Sequence, residues 1–171
     1  MADFEPAFER TLRNEGGFTL TDSPGDRGGQ TYAGIARNFH PEWSGWALVD
    51  AGRLGSRELT QAVREFYRSQ VWNRLGCDSI ASQAIAETVY DFAVNAGVVT
   101  SAKLAQLVVG VLPDGGIGPK SLAALNAFDE GEFTLKFAIA KIKRYQQICD
   151  RDGSQTRFLV GWIHRALEAL T

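Results

Sequence analysis

Apolar residues recur at helical spacing through most of the chain, beginning near its first residue. Phe4, Phe8 and Leu12 share one face of a predicted opening helix, which Asp3 can cap at its start. The glycine pair at 16–17 ends this helix, and helical spacing returns after residue 56. The apolar positions that mark the later helices are Leu59, Val63, Phe66 and Tyr67; Ile85, Val89, Phe92 and Ala96; Leu104, Leu107, Val108 and Val111; the segment KSLAAL; residues 133–148; and Phe158, Trp162 and Leu167, which are predicted to face inward from the last helix.

The segment from residue 18 to residue 36 breaks the helical pattern. Two short β-like runs, GFTLT and QTYAGIA, flank the turn-rich sequence DSPGDRGG, which together predict a small β-hairpin. The aromatic-rich segment that follows, NFHPEWSGWALVD, predicts a loop with a short helix. We therefore predict a mainly α protein of the α+β class, with one small β element after the first helix.

Composition and charge narrow the class of protein. The chain has 171 residues, of which 44% are hydrophobic, enough for one core or two small regions that share it. A formal net charge of −2 disfavours nucleic-acid binding, and the basic run KIKRYQQ at 141–147 is interpreted as a solvated helix face. No Sec-type signal sequence and no run of 18 apolar residues is recognised, so we expect synthesis in the cytoplasm and no stable membrane insertion. Cys77 and Cys149 lack CxxC spacing and are predicted to be free thiols.

The candidate chemistry lies in the glycine-rich segment. Glu15 stands at the predicted end of the first helix, where the helix dipole and burial under the hairpin are expected to raise its pKa. Asp26 lies in a polar loop that should keep it ionised, and Thr31 offers a hydroxyl that can position a water. Two carboxyl groups in contrasting environments suit the hydrolysis of a glycoside. The alternative is that Asp22 and Asp26 only bond their own backbone in turns, which is favoured for Asp22 and open for Asp26.

Other chemistries have weaker support. The segment GGIGPKS lacks the register of a phosphate-binding loop, and the chain has no GxSxG motif. His40 and His164 do not have the spacing of metal ligands. We therefore expect neither a cofactor nor a metal site.

Six segments, taken in order, resemble glycoside hydrolase family 108: EGGF (15–18), DRGGQTYAGIA (26–36), FYRSQVW (66–72), YDFAVNAG (90–97), DGGIGPKSLAAL (114–125) and FLVGWIHR (158–165). That family comprises N-acetylmuramidases, including phage endolysins, and some members are secretion activators. The resemblance implies a lysozyme-like helical bundle with a β-hairpin after the first helix. It also implies a glycoside hydrolase region over residues 1–92 and a helical peptidoglycan-binding region over residues 93–171, packed into one globular unit.

The resemblance assigns roles to the candidate residues. Glu15 matches the glutamate of the EGG motif and would be the general acid. The order Glu15, Asp26, Thr31 is similar to the Glu–Asp–Thr order of phage-type lysozymes, with slightly different intervals. The implied reaction is hydrolysis of the β-1,4 bond between N-acetylmuramic acid and N-acetylglucosamine. Phe18 stands where tyrosine is common in the family, which removes one hydroxyl contact.

Substrate-binding residues are implied in the same way. Tyr32, Trp72 and Tyr90 would stack on sugar rings; for Trp72 and Tyr90, packing in the core is the alternative. Asp91 and Asn95 lie one helical turn apart and match a pair in the family. They would either line the floor of the cleft or hold two lobes together, and the second role is favoured.

Two other functions stay open at this stage. A lytic transglycosylase would use one glutamate and leave anhydro-sugar ends, and a non-catalytic secretion factor would bind peptidoglycan without cutting it. The expected partners are peptidoglycan strands and a holin-like or other export factor, and nucleic acid is excluded. We expect a monomer that acts on the cell wall, in the periplasm, after its release from the cytoplasm.

Overall fold

The computed structural model describes residues 1–14, 16–22 and 28–168 of the chain. Short π-helical and 3₁₀-helical segments follow the third helix and precede the last one. The predicted mainly α fold, with a small β element after the first helix, is confirmed. In chain order the elements are α1 (Phe4–Asn14), β1 (Leu20–Thr21), β2 (Thr31–Tyr32), β3 (Ile35–Ala36), α2 (Gly45–Asp50), α3 (Arg57–Tyr67), α4 (Gln83–Ala96), α5 (Val98–Val108), α6 (Pro119–Ala127), α7 (Glu130–Arg151) and α8 (Leu159–Glu168).

The chain folds as two compact units. The first unit is Asp3–Asn73, and the second combines Met1–Ala2 with the chain from Arg74 onward. The first unit therefore contains α1 to α3 and the sheet, and the second contains α4 to α8. The boundary predicted between residues 92 and 93 falls inside α4. It separates two functional regions rather than two compact units, so it stays a prediction.

Aromatic packing holds α1 against the end of α3 in the first unit. The rings of Phe4 and Phe8 stack with centroids 5.3 Å apart. The Phe4 ring lies 5.6 Å from that of Trp72, and the Phe8 ring lies 6.0 Å from that of Tyr67. Because these apolar faces are removed from water, their burial is the main force that fixes α1.

The three strands form an antiparallel sheet in the order β1-β2-β3. Leu20 pairs with Tyr32 across the first two strands, and Tyr32 pairs with Ile35 across the second and third. The turn between β2 and β3 uses Ala33 at φ 48° and Gly34 at φ 79°. Two consecutive positive φ angles are typical of a type I′ turn, whose twist matches that of a hairpin. The predicted hairpin is confirmed and gains a third strand.

The second unit is a helical bundle with an aromatic centre. The ring of Phe92 on α4 lies 5.7 Å from that of Phe137 on α7, which in turn stacks on Phe133 at 5.5 Å. Helices α4 and α5 meet at Gly97, and the buried hydroxyl of Ser101 donates to the carbonyl of Val89 at 2.6 Å. This bond joins the two helices near their shared corner.

The inward orientation predicted for Phe158 and Leu167 is wrong, and Leu107, one of the apolar positions that mark α5 in the sequence, is exposed as well. The side chain of Leu107 is 59% exposed, that of Phe158 is 44% exposed and that of Leu167 is 46% exposed. Helix α5 instead buries two polar side chains, Ser101 and Gln106. Because α5 is apolar over most of its surface, hydrophobic periodicity alone could not select its buried face.

Candidate active site and binding grooves

The segment that carries the predicted general acid begins where α1 ends, at Asn14. Gly16 has a left-handed φ of 81°, and the N–H of Gly17 donates to the carbonyl of Leu12 at 2.7 Å. The hydroxyl of Thr19 donates to the carbonyl of Gly16 at 2.7 Å. A left-handed glycine with a bond back to the last turn ends a helix sharply, because a side chain at that φ would be strained.

Two of the predicted catalytic residues, Glu15 and Asp26, lie outside the described residues. In the sequence, Glu15 follows the last residue of α1 and precedes the left-handed Gly16. Asp22, the other carboxylate considered in this segment, is exposed directly after β1. The roles of Glu15 and Asp26 therefore stay predictions.

The third predicted catalytic residue, Thr31, is half-buried in β2. It pairs with Thr21 on β1 and with Ala36 on β3, so strands on both sides fix its backbone. Its hydroxyl donates to the carbonyl of Gly29 at 3.2 Å. Because the hydroxyl proton is donated to the Gly29 carbonyl, the oxygen of Thr31 can accept a hydrogen bond from a water molecule.

The three aromatic residues predicted to stack on sugar are fully buried. Tyr32, Trp72 and Tyr90 each have 0% exposure. The ring of Tyr32 stacks on that of Trp43 at 6.4 Å, and Trp72 packs against Phe4. A ring without exposed faces cannot stack on a sugar in this arrangement. The three residues are therefore packed in the core in this structure.

The first unit has an aromatic groove that the sequence did not single out. It has a volume of about 480 Å³. The ring of His40 meets that of Phe66 edge-on at 4.7 Å, and the resulting partial desolvation lowers the pKa of His40. In the sequence, the only sign of this groove is the aromatic-rich run NFHPEWSGW. The groove is lined by Phe39, His40, Trp43 and Phe66, with Glu42, Glu65 and Gln70 as hydrogen-bonding groups.

A second groove, of about 300 Å³, lies between α4, α7 and α8; we call it the basic groove. Asp91 and Asn95, predicted as a substrate-binding pair, both line it. The side-chain amide of Asn95 donates to the carbonyl of Asp91 at 3.1 Å, and Arg165 donates to the Asn95 side-chain oxygen at 3.2 Å. The structure thus connects the pair with α8; their role in binding stays a prediction.

The basic groove also corrects the interpretation of KIKRYQQ as a solvated face. Lys143 is exposed as predicted, whereas Lys141 is only 4% exposed and lines the groove. Burial lowers the pKa of the Lys141 ammonium, and the nearby charge of Asp91 partly opposes this change. The groove that Lys141 lines is formed together with residues of α4 and α8, so the local sequence could not reveal it.

The described part of the chain has neither a metal-binding cluster nor a membrane-spanning helix. Among residues 1–14, 16–22 and 28–168, no group of three or more His, Cys, Asp and Glu side chains could hold a metal ion. Within the same ranges, no helix is both long enough and apolar enough to span a bilayer.

Comparison with known proteins identifies both parts of the chain. The model of the family described as Glycosyl hydrolase 108 matches residues 8–97, and that of the Predicted Peptidoglycan domain matches residues 97–167. Among solved structures, that of SagA from Brucella abortus aligns with a TM-score of 0.72 and 26% sequence identity. The alignment covers 98% of this chain and 91% of that one. A search of curated proteins gave no match.

The fold and the two matched regions define a lysozyme-like hydrolase that acts on peptidoglycan. The chain belongs to the glycosyl hydrolase 108 family, whose model matches more than half of it.

Proposed function

We propose that the protein is an N-acetylmuramidase that hydrolyses the β-1,4 bond between N-acetylmuramic acid and N-acetylglucosamine. In this proposal Glu15 is the general acid that protonates the leaving glycosidic oxygen. Asp26 is the ionised carboxylate that orients the attacking water, and Thr31 helps to hold that water. This division of roles needs one protonated and one ionised carboxyl group at the same pH.

The observation that carries the proposal is the local architecture around position 15. Helix α1 stops one residue earlier, the chain turns through Gly16, and the sheet that follows carries Thr31. A carboxyl group just beyond a helix C-terminus meets the negative end of the helix dipole, which favours its protonated form. The hydroxyl proton of Thr31 is already donated to Gly29, which leaves the oxygen free to accept from a water.

Sugar contacts are better assigned to the aromatic groove than to the buried rings. That groove offers the partly exposed rings of Phe39, Trp43 and Phe66 within the same unit as Thr31. A concave site with aromatic faces and a few polar groups suits a stiff, amphipathic sugar chain. We therefore assign glycan stacking to the aromatic groove, and interpret Tyr32, Trp72 and Tyr90 as supports for the site.

The test is to replace Glu15→Gln and measure the release of reducing ends from purified peptidoglycan. Because the amide cannot donate the required proton, activity should fall by roughly 10²–10⁴-fold or more, while the protein still sediments with cell walls. Glu9→Gln is the matched control, since Glu9 is an exposed glutamate on α1. Full activity in Glu15→Gln would disprove the proposal.

Two further arms of the same assay separate the remaining alternatives. Asp26→Asn should lose activity by a similar factor, whereas Asp22→Asn should stay close to wild type. Mass spectrometry of the products should show reducing N-acetylmuramic acid ends. Anhydro ends would identify a lytic transglycosylase instead, and wall binding without any product would identify a non-catalytic secretion factor.

We place this activity at the cell wall and propose that the protein reaches it as a monomer through a holin-like or other export factor, in the manner of an endolysin. The match to a peptidoglycan domain supports the wall as the site of action. Expression in a bacterial host with and without a co-expressed holin tests the route. Lysis that requires both proteins is the expected result, and lysis by the protein alone would contradict it.

A further inference from the structure

Lys141 is an unusual residue because it is a lysine whose side chain is largely buried and lines a groove. It lies within α7, is 4% exposed and lines the basic groove. Among the described residues it forms no hydrogen bond and no ion pair; the ring of Phe137, at 5.9 Å from its Nζ, is a weak substitute. Burial partly desolvates the ammonium, which costs free energy, and the charge of Asp91 offsets this cost only in part. A ligand with an anionic group would supply the hydrogen-bond acceptors that Lys141 lacks among the described residues.

The other charges of the groove agree in sign. Arg144 and Arg165 line it together with Lys141, against the single carboxylate of Asp91. The chain as a whole has a net charge of −2, so this concentration of positive charge is local. One N–H of Arg165 is used by Asn95, and a guanidinium has five N–H donors in all. The groove is therefore electrostatically suited to an anion.

The remaining wall of the groove is aromatic. The rings of Tyr145 and Trp162 lie 5.2 Å apart, and the ring of Phe92 lies 6.4 Å from that of Tyr145. These surfaces can cover short aliphatic groups, but a simple inorganic anion would leave them unused. A ligand with both carboxylate groups and small apolar side chains fits this combination.

We propose that the basic groove binds a free carboxylate of the peptide stem of peptidoglycan, with Lys141 as the central cation and Arg144 and Arg165 at its rim. The inference rests on the proposed function only in its choice of substrate and does not depend on which glycosidic bond is cut. In peptidoglycan the muramic acid carboxyl is consumed in the amide link to the peptide, so the glycan strand itself is uncharged. The free carboxylates belong to the peptide, whose alanine methyl groups suit the aromatic wall.

The test is calorimetric titration of the protein with N-acetylmuramyl tripeptide, a monosaccharide derivative that has no glycosidic bond to cleave. Lys141→Met should weaken binding by roughly tenfold or more, since a charge-assisted bond is lost. Lys143→Met is the matched control, because Lys143 is an exposed lysine on the same helix, and its binding should equal that of the wild type. In a second titration, the carboxylates of the N-acetylmuramyl tripeptide are converted to amides. This amidated ligand should bind the wild type as weakly as the unmodified ligand binds Lys141→Met.

A second variant and a second readout keep the outcome decisive. Arg144→Gln leaves Lys141 in place and should weaken binding by a smaller factor. Thermal unfolding without ligand should show Lys141→Met to be at least as stable as the wild type, because methionine fills similar space without a charge. Equal binding by Lys141→Met and wild type, equal binding of the amidated peptide, or no binding at all would each overturn the proposal. Because no cleavage is measured, these outcomes are independent of the muramidase assay.

Discussion

At the scale of single residues, the sheet that carries Thr31 depends on a strained alanine. Ala33 has a φ of 48°, a conformation that costs a non-glycine residue free energy. Its N–H donates to the carbonyl of Thr19 at 3.1 Å, and its own carbonyl accepts from the hydroxyl of Tyr67 at 2.9 Å. These bonds hold the β2–β3 turn against β1 and α3, which fixes the position of Thr31.

Two tyrosine hydroxyls in the same unit allow a matched prediction. Tyr67→Phe removes the bond to Ala33 and should lower the free energy of unfolding by about 1 kcal/mol. Tyr32→Phe should leave stability unchanged or raise it, because the buried hydroxyl of Tyr32 has no hydrogen-bond partner among the described residues. Urea denaturation of the two variants checks the prediction. Equal losses in both would show that ring packing rather than the Tyr67 bond controls the turn.

At the scale of elements, the corner between α4 and α5 requires glycine. Gly97 has a φ of 87° and a ψ of 148°, a region that side chains strongly disfavour, although a Cβ there would meet no atom within 4 Å. Gly97→Ala should therefore cost about 1–3 kcal/mol of stability through backbone strain alone.

The control for this prediction is Gly161→Ala. Gly161 lies within α8, and a Cβ there would also meet no atom within 4 Å. The substitution should stabilise the protein by roughly 0.5–1 kcal/mol, since alanine is the better helix former. Thermal unfolding of both variants measures the difference, and a loss at Gly161 equal to that at Gly97 would contradict the strain argument.

The sequence predicted those elements whose determinants are local. Asp3 accepts from the N–H of Glu5 at the start of α1, as its position indicated, and Ser56 accepts from the N–H of Leu59 at the start of α3. The loop of the DGGIGP motif is different, because it is held by Gln106 on the preceding helix. Its determinants are distant in sequence, and a glutamine in an apolar run gave no signal.

The Gln106 contacts show what such a loop requires. The two N–H groups of the Gln106 side-chain amide are shared among Asp114 at 2.7 Å, the carbonyl of Gly116 at 2.9 Å and the hydroxyl of Ser121 at 3.0 Å. Its oxygen accepts from the N–H of Gly115 at 2.9 Å. A 1% exposed side chain thus satisfies several polar groups that would otherwise lose water without replacement.

At the scale of the whole molecule, our proposals give the two parts of the substrate separate recognition sites. The aromatic groove belongs to the first unit, and the basic groove belongs to the second. In our proposals the first holds the uncharged glycan and the second holds the charged peptide. Glu15 could be proposed from the sequence because its motif is local, whereas Lys141 could not, since the groove that it lines is formed by three helices.

Stability of the whole chain should depend on pH in two stages. In the first, His40 has a lowered pKa because burial penalises its charged form, so the unfolded state binds more protons as the pH falls below about 6.5. In the second, several carboxyl groups have lowered pKa values: Asp50 through Arg37, Glu58 through its own backbone N–H and Arg53, Asp114 through Gly116 and Gln106, and Asp152 through Ser154 and Gln155. The stability that they contribute is complete above the unfolded pKa of about 4 and is lost as the pH falls through the folded values.

Urea denaturation between pH 8 and pH 3 should therefore show a shallow decline in the free energy of unfolding below pH 6.5 and a steeper one below about pH 4. His40→Gln should abolish the shallow decline and leave the steep one, because glutamine does not titrate. Added salt should weaken the part of the steep decline that comes from exposed ion pairs such as Arg37–Asp50. The contribution of Asp114 should persist in salt, since its carboxylate is held by hydrogen bonds at short range. A single decline that His40→Gln leaves unchanged would show that the His40 ring keeps its ordinary pKa despite its contact with Phe66.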